Sequence, residues 1–178
     1  MINYDDLVKE IREEFSDFQI KKKSESNFMK VIGFILRVIT FNKMKAFMTE
    51  FTTTIGNTIY VSTRWDTLSD TAKVIVLRHE RIHLRQAKKY TRPLFSFLYI
   101  FVLPALWTYR SKFEREAYEE TMMASVEAYG LEILSESMKM NMVRYLSSSQ
   151  YFWMMPKKDA EKWFDETKKK IIDLKRED

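Results

Sequence analysis

The sequence predicts a mainly helical α+β fold, and three observations lead to that prediction. Apolar residues recur at helical spacing over most of the 178-residue chain. One stretch, residues 47–62, is instead rich in the β-branched and aromatic residues that favour strands. Only three glycines and three prolines are present to interrupt helices. The length and the 46% hydrophobic content suit one core, so a single domain spanning residues 1–178 is expected.

Two helices are predicted in the N-terminal part, residues 1–46. A polar break at residues 21–27 separates them, and residues 28–40 form the second, more apolar helix. The first helix carries five apolar residues at helical spacing with charges between them: Leu7, Val8, Ile11, Phe15 and Phe18.

A β-hairpin and a long helix are predicted next. Residues 47–54 and 58–62 read as strands on either side of a short turn that contains Gly56. Ser69 or Asp70 then caps a helix that runs to about Tyr90.

Residues 94–107 are nearly all apolar. This segment is shorter than the ~20 residues of a comfortable membrane span. A buried core helix is therefore the favoured interpretation. Basic residues flank the segment at Arg92, Arg110 and Lys112, so peripheral membrane contact through residues 94–107 stays open.

Helices are also predicted for the C-terminal part, residues 124–178. A long helix runs from about Ser111 to Ser135, and a second covers residues 138–146. Pro156 can begin the last helix, because proline is favoured in a first helical turn. That helix carries an apolar stripe: Trp163, Phe164, Thr167, Ile171 and Leu174.

Composition excludes several classes of protein. The net charge is +5, and the lysine runs at residues 21–23 and 168–170 have no nucleic-acid-binding motif beside them, so they predict solvated faces and no nucleic-acid partner. The lack of cysteine excludes a disulfide scaffold, a cysteine zinc site and a thiol nucleophile. Residues 1–6 lack the apolar segment of a secretory signal, so we expect a cytoplasmic protein, with a virion or membrane-peripheral location still open.

Both histidines of the chain lie in His79-Glu80-Arg81-Ile82-His83, which has the spacing H-E-x-x-H. Helical residues four apart share a face, so both imidazoles can reach one metal ion. Glu80 can reach a water molecule on that metal. The pattern indicates metal-assisted hydrolysis, with a peptide bond as the expected target. A catalytic zinc takes three protein ligands, and the third must be a carboxylate here because no other histidine and no cysteine exists.

The motif, together with Phe113-Glu114-Arg115-Glu116-Ala117-Tyr118, resembles the gluzincin peptidases of the zincin fold, in which a glutamate from a later helix completes the zinc site. The likeness is to the F-E-x-x-A-D pattern of peptidases of the M48 type, and it makes Glu114 the zinc ligand beside His79 and His83. It implies a zincin-like catalytic core at residues 47–123. The layout is also similar to small zincin-like proteins of bacteria and phages.

Glu116 stays open as the rival third ligand. Glu120 follows it by four residues. Glu116 and Glu120 could therefore act as the metal ligand and its orienting acid, on a different side of the helix from Glu114. Glu114 and Glu116 lie about 200° apart around a helix, so only one of them can face the metal.

The chain departs from the family pattern at three positions. Tyr118 stands where the family has an aspartate that orients one histidine, and such supporting groups commonly affect metal affinity. Arg81 and Arg85 replace residues that are usually uncharged. These arginines lie either on the solvated face of the helix or near the substrate, and Arg81 is expected to point away from the metal.

The resemblance implies a zinc-dependent metallopeptidase acting on a peptide or protein. Glu80 would be the general base that takes a proton from a zinc-bound water and passes it to the leaving amine. A donor for the developing oxyanion would come from Tyr109, Arg110 or Tyr118.

An alternative function belongs to another class: a catalytically weak or inactive zincin-fold structural or interaction protein, such as a phage component. Glu80 argues against it, because an inactive protein has no need of a general base between its ligands. Seven methionines could give such a protein an adaptable surface, although ordinary core packing is favoured for them: Met122, Met123, Met138, Met140, Met142, Met154 and Met155.

Overall fold

The computed structural model describes residues 2–89, 107–148 and 154–177. The part before residue 90 forms one compact unit, and the part after residue 106 forms a second. The prediction of a mainly helical α+β protein with a small sheet is confirmed. The core helix predicted for the apolar segment falls outside the described residues except at Trp107, which begins a helix.

The first unit contains three helices and three strands. Side-chain oxygens of Asn3, Ser26 and Ser69 each accept a hydrogen bond from a backbone N–H at the start of a helix, which satisfies donors that the helix itself cannot. In chain order the elements are α1 (Tyr4–Glu14), β1 (Gln19–Lys22), α2 (Asn27–Ile39), β2 (Thr53–Ile55), β3 (Thr58–Val61) and α3 (Asp70–Lys89).

The strands form one sheet in the order β1-β3-β2. β2 and β3 make the predicted hairpin around Gly56, whose φ of 60° favours glycine. Its first strand begins at Thr53, later than residue 47, because residues 45–47 form a 3₁₀ turn. β1 pairs in parallel with β3, Gln19 opposite Thr58. The polar break predicted at residues 21–27 was therefore wrong in part, because its first residues belong to β1. A polar edge strand lacks the alternation of apolar residues by which a strand is recognised in a sequence.

The core of the first unit lies between α1, β3 and α3. The buried residues of α1 meet Ile59 and Val61 of β3, and Leu77 and Leu84 fix α3 against the same cluster. Phe15 and Phe18, predicted on the first helix, follow its end and complete this core. Leu77 precedes the two histidines and Leu84 follows them, so α3 is held against this core over the two helical turns that carry the histidines.

Lys23 corrects the prediction of a solvated lysine run, because its side chain is wholly buried. Its Nζ donates a hydrogen bond to the carbonyl oxygen of Phe47 at 2.9 Å and lies 3.6 Å from the centroid of the Phe47 ring. Burial lowers the pKa of Lys23 from 10.5 to about 7, although the charge of Glu80 opposes that shift. Lys22, its neighbour, instead pairs with Asp66 at 2.6 Å near the surface.

The second unit is helical in its described part, with α4 (Trp107–Tyr129), α5 (Glu136–Ser147) and α6 (Lys157–Glu177). α4 ends before the predicted Ser135, because Gly130 adopts a φ of 85° and a 3₁₀ turn follows. Pro156 directly precedes α6, as predicted.

Methionine and aromatic side chains make up much of the core of the second unit. Four of the seven methionines considered above are buried there, Met123 and Met138 pack against it, and Met140 is 66% exposed. Ordinary core packing therefore accounts for most of them. The core residues include Met122, Val126, Met142, Leu146, Met154, Trp163, Phe164 and Ile171.

None of the helices in the described ranges combines the length and the apolar character that crossing a bilayer requires.

Replacing the buried lysine should stabilise the protein at low pH. In the unfolded chain Lys23 keeps its proton up to its ordinary pKa of 10.5, whereas the folded protein releases it at about 7, so the cost of burial is complete below pH 7 and fades as the pH approaches 10.5. We expect Lys23→Met to raise the free energy of unfolding by about 2–4 kcal/mol at pH 6, after allowance for the lost hydrogen bond. Urea unfolding at pH 6, 8 and 10 measures this.

Lys21→Met is the matched control, since Lys21 is exposed, and it should change the unfolding free energy by less than about 0.5 kcal/mol at each pH. A gap between Lys23→Met and wild type that does not shrink with rising pH would contradict the burial of a lysine with a lowered pKa.

Candidate metal centre

His79 and His83 lie on one face of α3, with their Nε2 atoms 3.2 Å apart. The rings meet edge to face, at 75° and with centroids 5.0 Å apart, and His83 is 4% exposed. Two nitrogens bound to one tetrahedral zinc at its usual bond length would be about 3.3 Å apart. The two imidazoles therefore have the spacing of adjacent ligands on one ion.

Gln86 supports His83 from the next turn of the same helix. Its Oε1 lies 2.9 Å from Nδ1 of His83, and both side chains are buried. An amide oxygen can only accept, so Nδ1 carries the hydrogen and Nε2 keeps its lone pair. That tautomer is the one a metal ligand needs at Nε2.

Gln86 was not identified from the sequence. The available signal was its position three residues after His83, a spacing at which helical side chains are neighbours. Tyr118 stands where the M48-type sequence pattern has an aspartate. It packs against the core of the second unit, and its ring lies 6.4 Å from that of Tyr145.

Glu80 is 5% exposed and is positioned by the hairpin. Its Oε2 accepts a hydrogen bond from Oγ1 of Thr54, in β2, at 2.6 Å. The cation of Lys23 also attracts this carboxylate. Thr54 and Lys23 were missed because both are distant from the motif in sequence, and only the packing of β2 and the 3₁₀ turn at residues 23–25 brings them to α3.

Arg81 and Arg85 connect α3 to α1. Arg81 donates from Nε to Glu14 at 2.7 Å, and Arg85 donates from Nε to the same carboxylate at 2.6 Å. Arg81 also reaches Glu10 at 2.9 Å. The two arginines therefore join α3 to α1 through ion pairs. The same bonds direct Arg81 away from the histidines, as predicted.

The two candidate third ligands differ in burial. Glu114 lies in α4 on the same side as Phe113 and Ala117 and is 3% exposed, whereas Glu116 is exposed. A buried carboxylate needs compensation from hydrogen bonds, an opposite charge or a metal ion. This difference favours Glu114 over Glu116.

Removing the acceptor behind His83 should weaken the binding of a metal ion by the two histidines, with zinc as the probe. We expect Gln86→Leu to raise the dissociation constant for zinc about 10- to 100-fold, because His83 loses the bond that fixes its tautomer. Gln86→Glu is the matched variant, since it keeps an acceptor at the same place and should bind zinc at least as well as wild type. Competition against a chromogenic chelator measures both, and equal affinities for wild type and Gln86→Leu would contradict the role of Gln86.

Breaking the link between α1 and α3 should destabilise the first unit. The hydrogen bond from Arg85, followed by that from Arg81, holds the pKa of Glu14 below its ordinary value of 4.5 despite partial burial. Its stabilisation is therefore present above the unfolded pKa and is lost as the pH falls through the lower folded pKa. We expect Glu14→Gln to lower the unfolding free energy by about 1–2 kcal/mol at pH 7 and by progressively less below pH 4.

Chemical denaturation from pH 3 to 7 measures this loss. Glu13→Gln, at an exposed position of the same helix, is the control and should stay within about 0.5 kcal/mol of wild type. An effect of Glu14→Gln that is the same at pH 3 and pH 7 would argue against the ion pairs.

No family model, curated protein or solved structure matches this chain. Its functional interpretation therefore depends on the residues of the site and their geometry.

Proposed function

We propose that this protein is a zinc-dependent peptide-bond hydrolase whose metal is bound by His79, His83 and Glu114. The observation that carries the proposal is the histidine pair, with Nε2 atoms 3.2 Å apart and Gln86 fixing the tautomer of His83. With Glu114 as the third ligand, the two histidines would supply the protein donors that a catalytic metal ion needs.

Zinc is the metal that fits this donor set best. Two neutral imidazoles and one carboxylate, without thiolates, match the ligand set of a catalytic zinc that leaves a position for water. When bound, zinc would supply Lewis-acid chemistry to a water molecule and to the scissile carbonyl.

Glu80 would be the general base. Its Oε2 accepts the hydrogen bond from Thr54, which holds one oxygen of the carboxylate and leaves Oε1 to receive a proton. The same carboxyl group would then return the proton to the departing amine. Burial at 5% exposure excludes bulk water from this proton transfer.

An extended peptide is the substrate class that the first unit suits. β2 is an edge strand of the sheet as described, because it pairs with β3 alone, and strand edges bind extended peptides through main-chain hydrogen bonds. Thr54 of this strand contacts Glu80, so a peptide added along β2 would lie beside the proposed base. Since the absence of cysteine fits a reducing compartment, we place the activity in the cytoplasm.

An inactive structural protein with the same fold is the second candidate. Its best support was an adaptable methionine surface, and the packing of the second unit leaves little of one. The burial of Glu80 favours the enzyme, because a carboxylate at 5% exposure costs stability even with its hydrogen bond from Thr54, and a structural protein could place an apolar residue there.

Metal content tests the ligand set. We expect about one zinc per chain in wild type and in Glu116→Ala, and its loss in His83→Ala and Glu114→Ala, because two remaining ligands bind zinc far more weakly than three. Elemental analysis after dialysis measures the content. Absence of zinc from wild type, even after zinc is supplied, would rule out the hydrolase.

Cleavage of an unstructured protein, followed by mass spectrometry, tests catalysis. Glu80→Gln should retain zinc but lose activity by roughly a hundred-fold or more, because it removes proton transfer and leaves the ligands intact. Wild type that binds zinc and cleaves none of a broad set of unstructured proteins would favour the structural alternative.

A further inference from the structure

α2 presents a face of large apolar side chains to solvent. Their spacing of three and four residues places them on one stripe of the helix, which we call the α2 apolar face. Its members and exposed fractions are Phe28 (54%), Val31 (57%), Phe34 (68%), Ile35 (48%), Val38 (59%) and, just beyond the helix, Phe41 (90%).

The opposite face of α2 determines this orientation. Met29 is wholly buried, and Gly33 packs so closely that a Cβ there would lie 3.1 Å from Sδ of Met48 and 3.5 Å from the ring of Phe47. A side chain at position 33 would therefore require the Met48 side chain to shift by a few tenths of an ångström. The packing of Met29 and Gly33 therefore turns the α2 apolar face outward.

The α2 apolar face exposes several hundred Å² of apolar surface. At about 200 Å² for each phenylalanine side chain, Phe28, Phe34 and Phe41 alone expose about 400 Å². Contiguous apolar patches above a few hundred Å² usually mark interaction sites.

The basic residues in and after α2 indicate that its partner is negatively charged. From Asn27 to Thr49 the chain has four basic residues and no acidic one. Lys30, Arg37, Lys43 and Lys45 are all exposed. A second copy of this chain would bring a like-charged surface against them, whereas anionic lipid headgroups are complementary to both the charge and the apolar stripe.

The length of α2 determines how it would meet a bilayer. Thirteen residues span about 20 Å, less than the hydrocarbon thickness of a membrane. A helix of this kind lies in the interface, with its apolar side chains among the upper acyl chains and its basic side chains at the phosphates.

We propose that α2 binds the surface of an anionic lipid bilayer, inserting the α2 apolar face and pairing Lys30, Arg37, Lys43 and Lys45 with lipid phosphates. This inference does not depend on the proposed hydrolase, because it rests on a surface rather than on the metal ligands.

Co-sedimentation of the full chain with vesicles tests the proposal. We expect wild type to bind vesicles that contain phosphatidylglycerol at least ten-fold more tightly than vesicles of phosphatidylcholine alone, with an affinity that falls as salt is added. The double variant Phe34→Ser, Val38→Ser should lose at least ten-fold in affinity for the anionic vesicles. Lys30→Gln with Arg37→Gln should lose much of the preference for anionic lipid.

Met140→Ser and Leu174→Ser are the matched controls, since they remove exposed apolar side chains of the second unit and should leave binding unchanged. Circular dichroism checks that each variant is folded. Failure of wild type to bind anionic vesicles would overturn the proposal and indicate that other residues of the chain cover α2. Light scattering that shows a dimer, abolished by Phe34→Ser with Val38→Ser, together with no vesicle binding, would overturn it in favour of a second copy.

Discussion

The burial of polar side chains on α3 is the constraint on which the first unit depends. Glu80, His83 and Gln86 are each less than 6% exposed, and an unpartnered polar group at such a depth costs about 1–3 kcal/mol. Each has a partner: Gln86 and His83 satisfy each other, and Thr54 satisfies Glu80. Besides the apolar residues that fix it against α1 and β3, α3 therefore buries a hydrogen-bonded set of polar side chains and not isolated charges. This arrangement gives the two imidazoles one spacing and the carboxylate one orientation before any ligand arrives, which is what a catalytic site requires.

Lys23 adds an opposite charge to the same region at a cost in stability. A buried ammonium with one hydrogen bond and one aromatic ring as its nearest partners is less stable than an apolar residue of the same size would be. Groups with strongly shifted pKa values are concentrated at functional sites, although structural networks also contain them. The charge of Glu80 attracts Lys23, which connects this lysine with the proposed base. The stability lost by burying Lys23 is therefore consistent with a role of this lysine in the proposed site.

Local patterns predicted most of the fold, and contacts between distant residues account for what they missed. The helical periodicity of α1 and α2, the turn at Gly56 and the proline before α6 are each encoded within a few residues. β1 is stabilised by pairing with β3, about forty residues later, and its own polar sequence contains no sign of that partner. The site divides in the same way. The histidines and Glu80 follow from one five-residue motif. The hydrogen bond from Thr54 to Glu80 and the electrostatic attraction between Lys23 and Glu80 arise only through the tertiary fold.

Phe47 connects the two proposals physically. Its carbonyl and ring contact Lys23, which the charge of Glu80 influences, and its ring also packs beside Gly33 on the inner side of α2. The same residue thus contacts both the lysine that interacts electrostatically with the proposed base and the inner side of the helix proposed to meet lipid. A protein attached to a bilayer through α2 would keep the edge strand β2 near that surface, because β2 and α2 belong to one compact unit. Peptides at or near a membrane would then reach the site at a higher effective concentration than peptides in bulk solution, without any additional contact to recognise them.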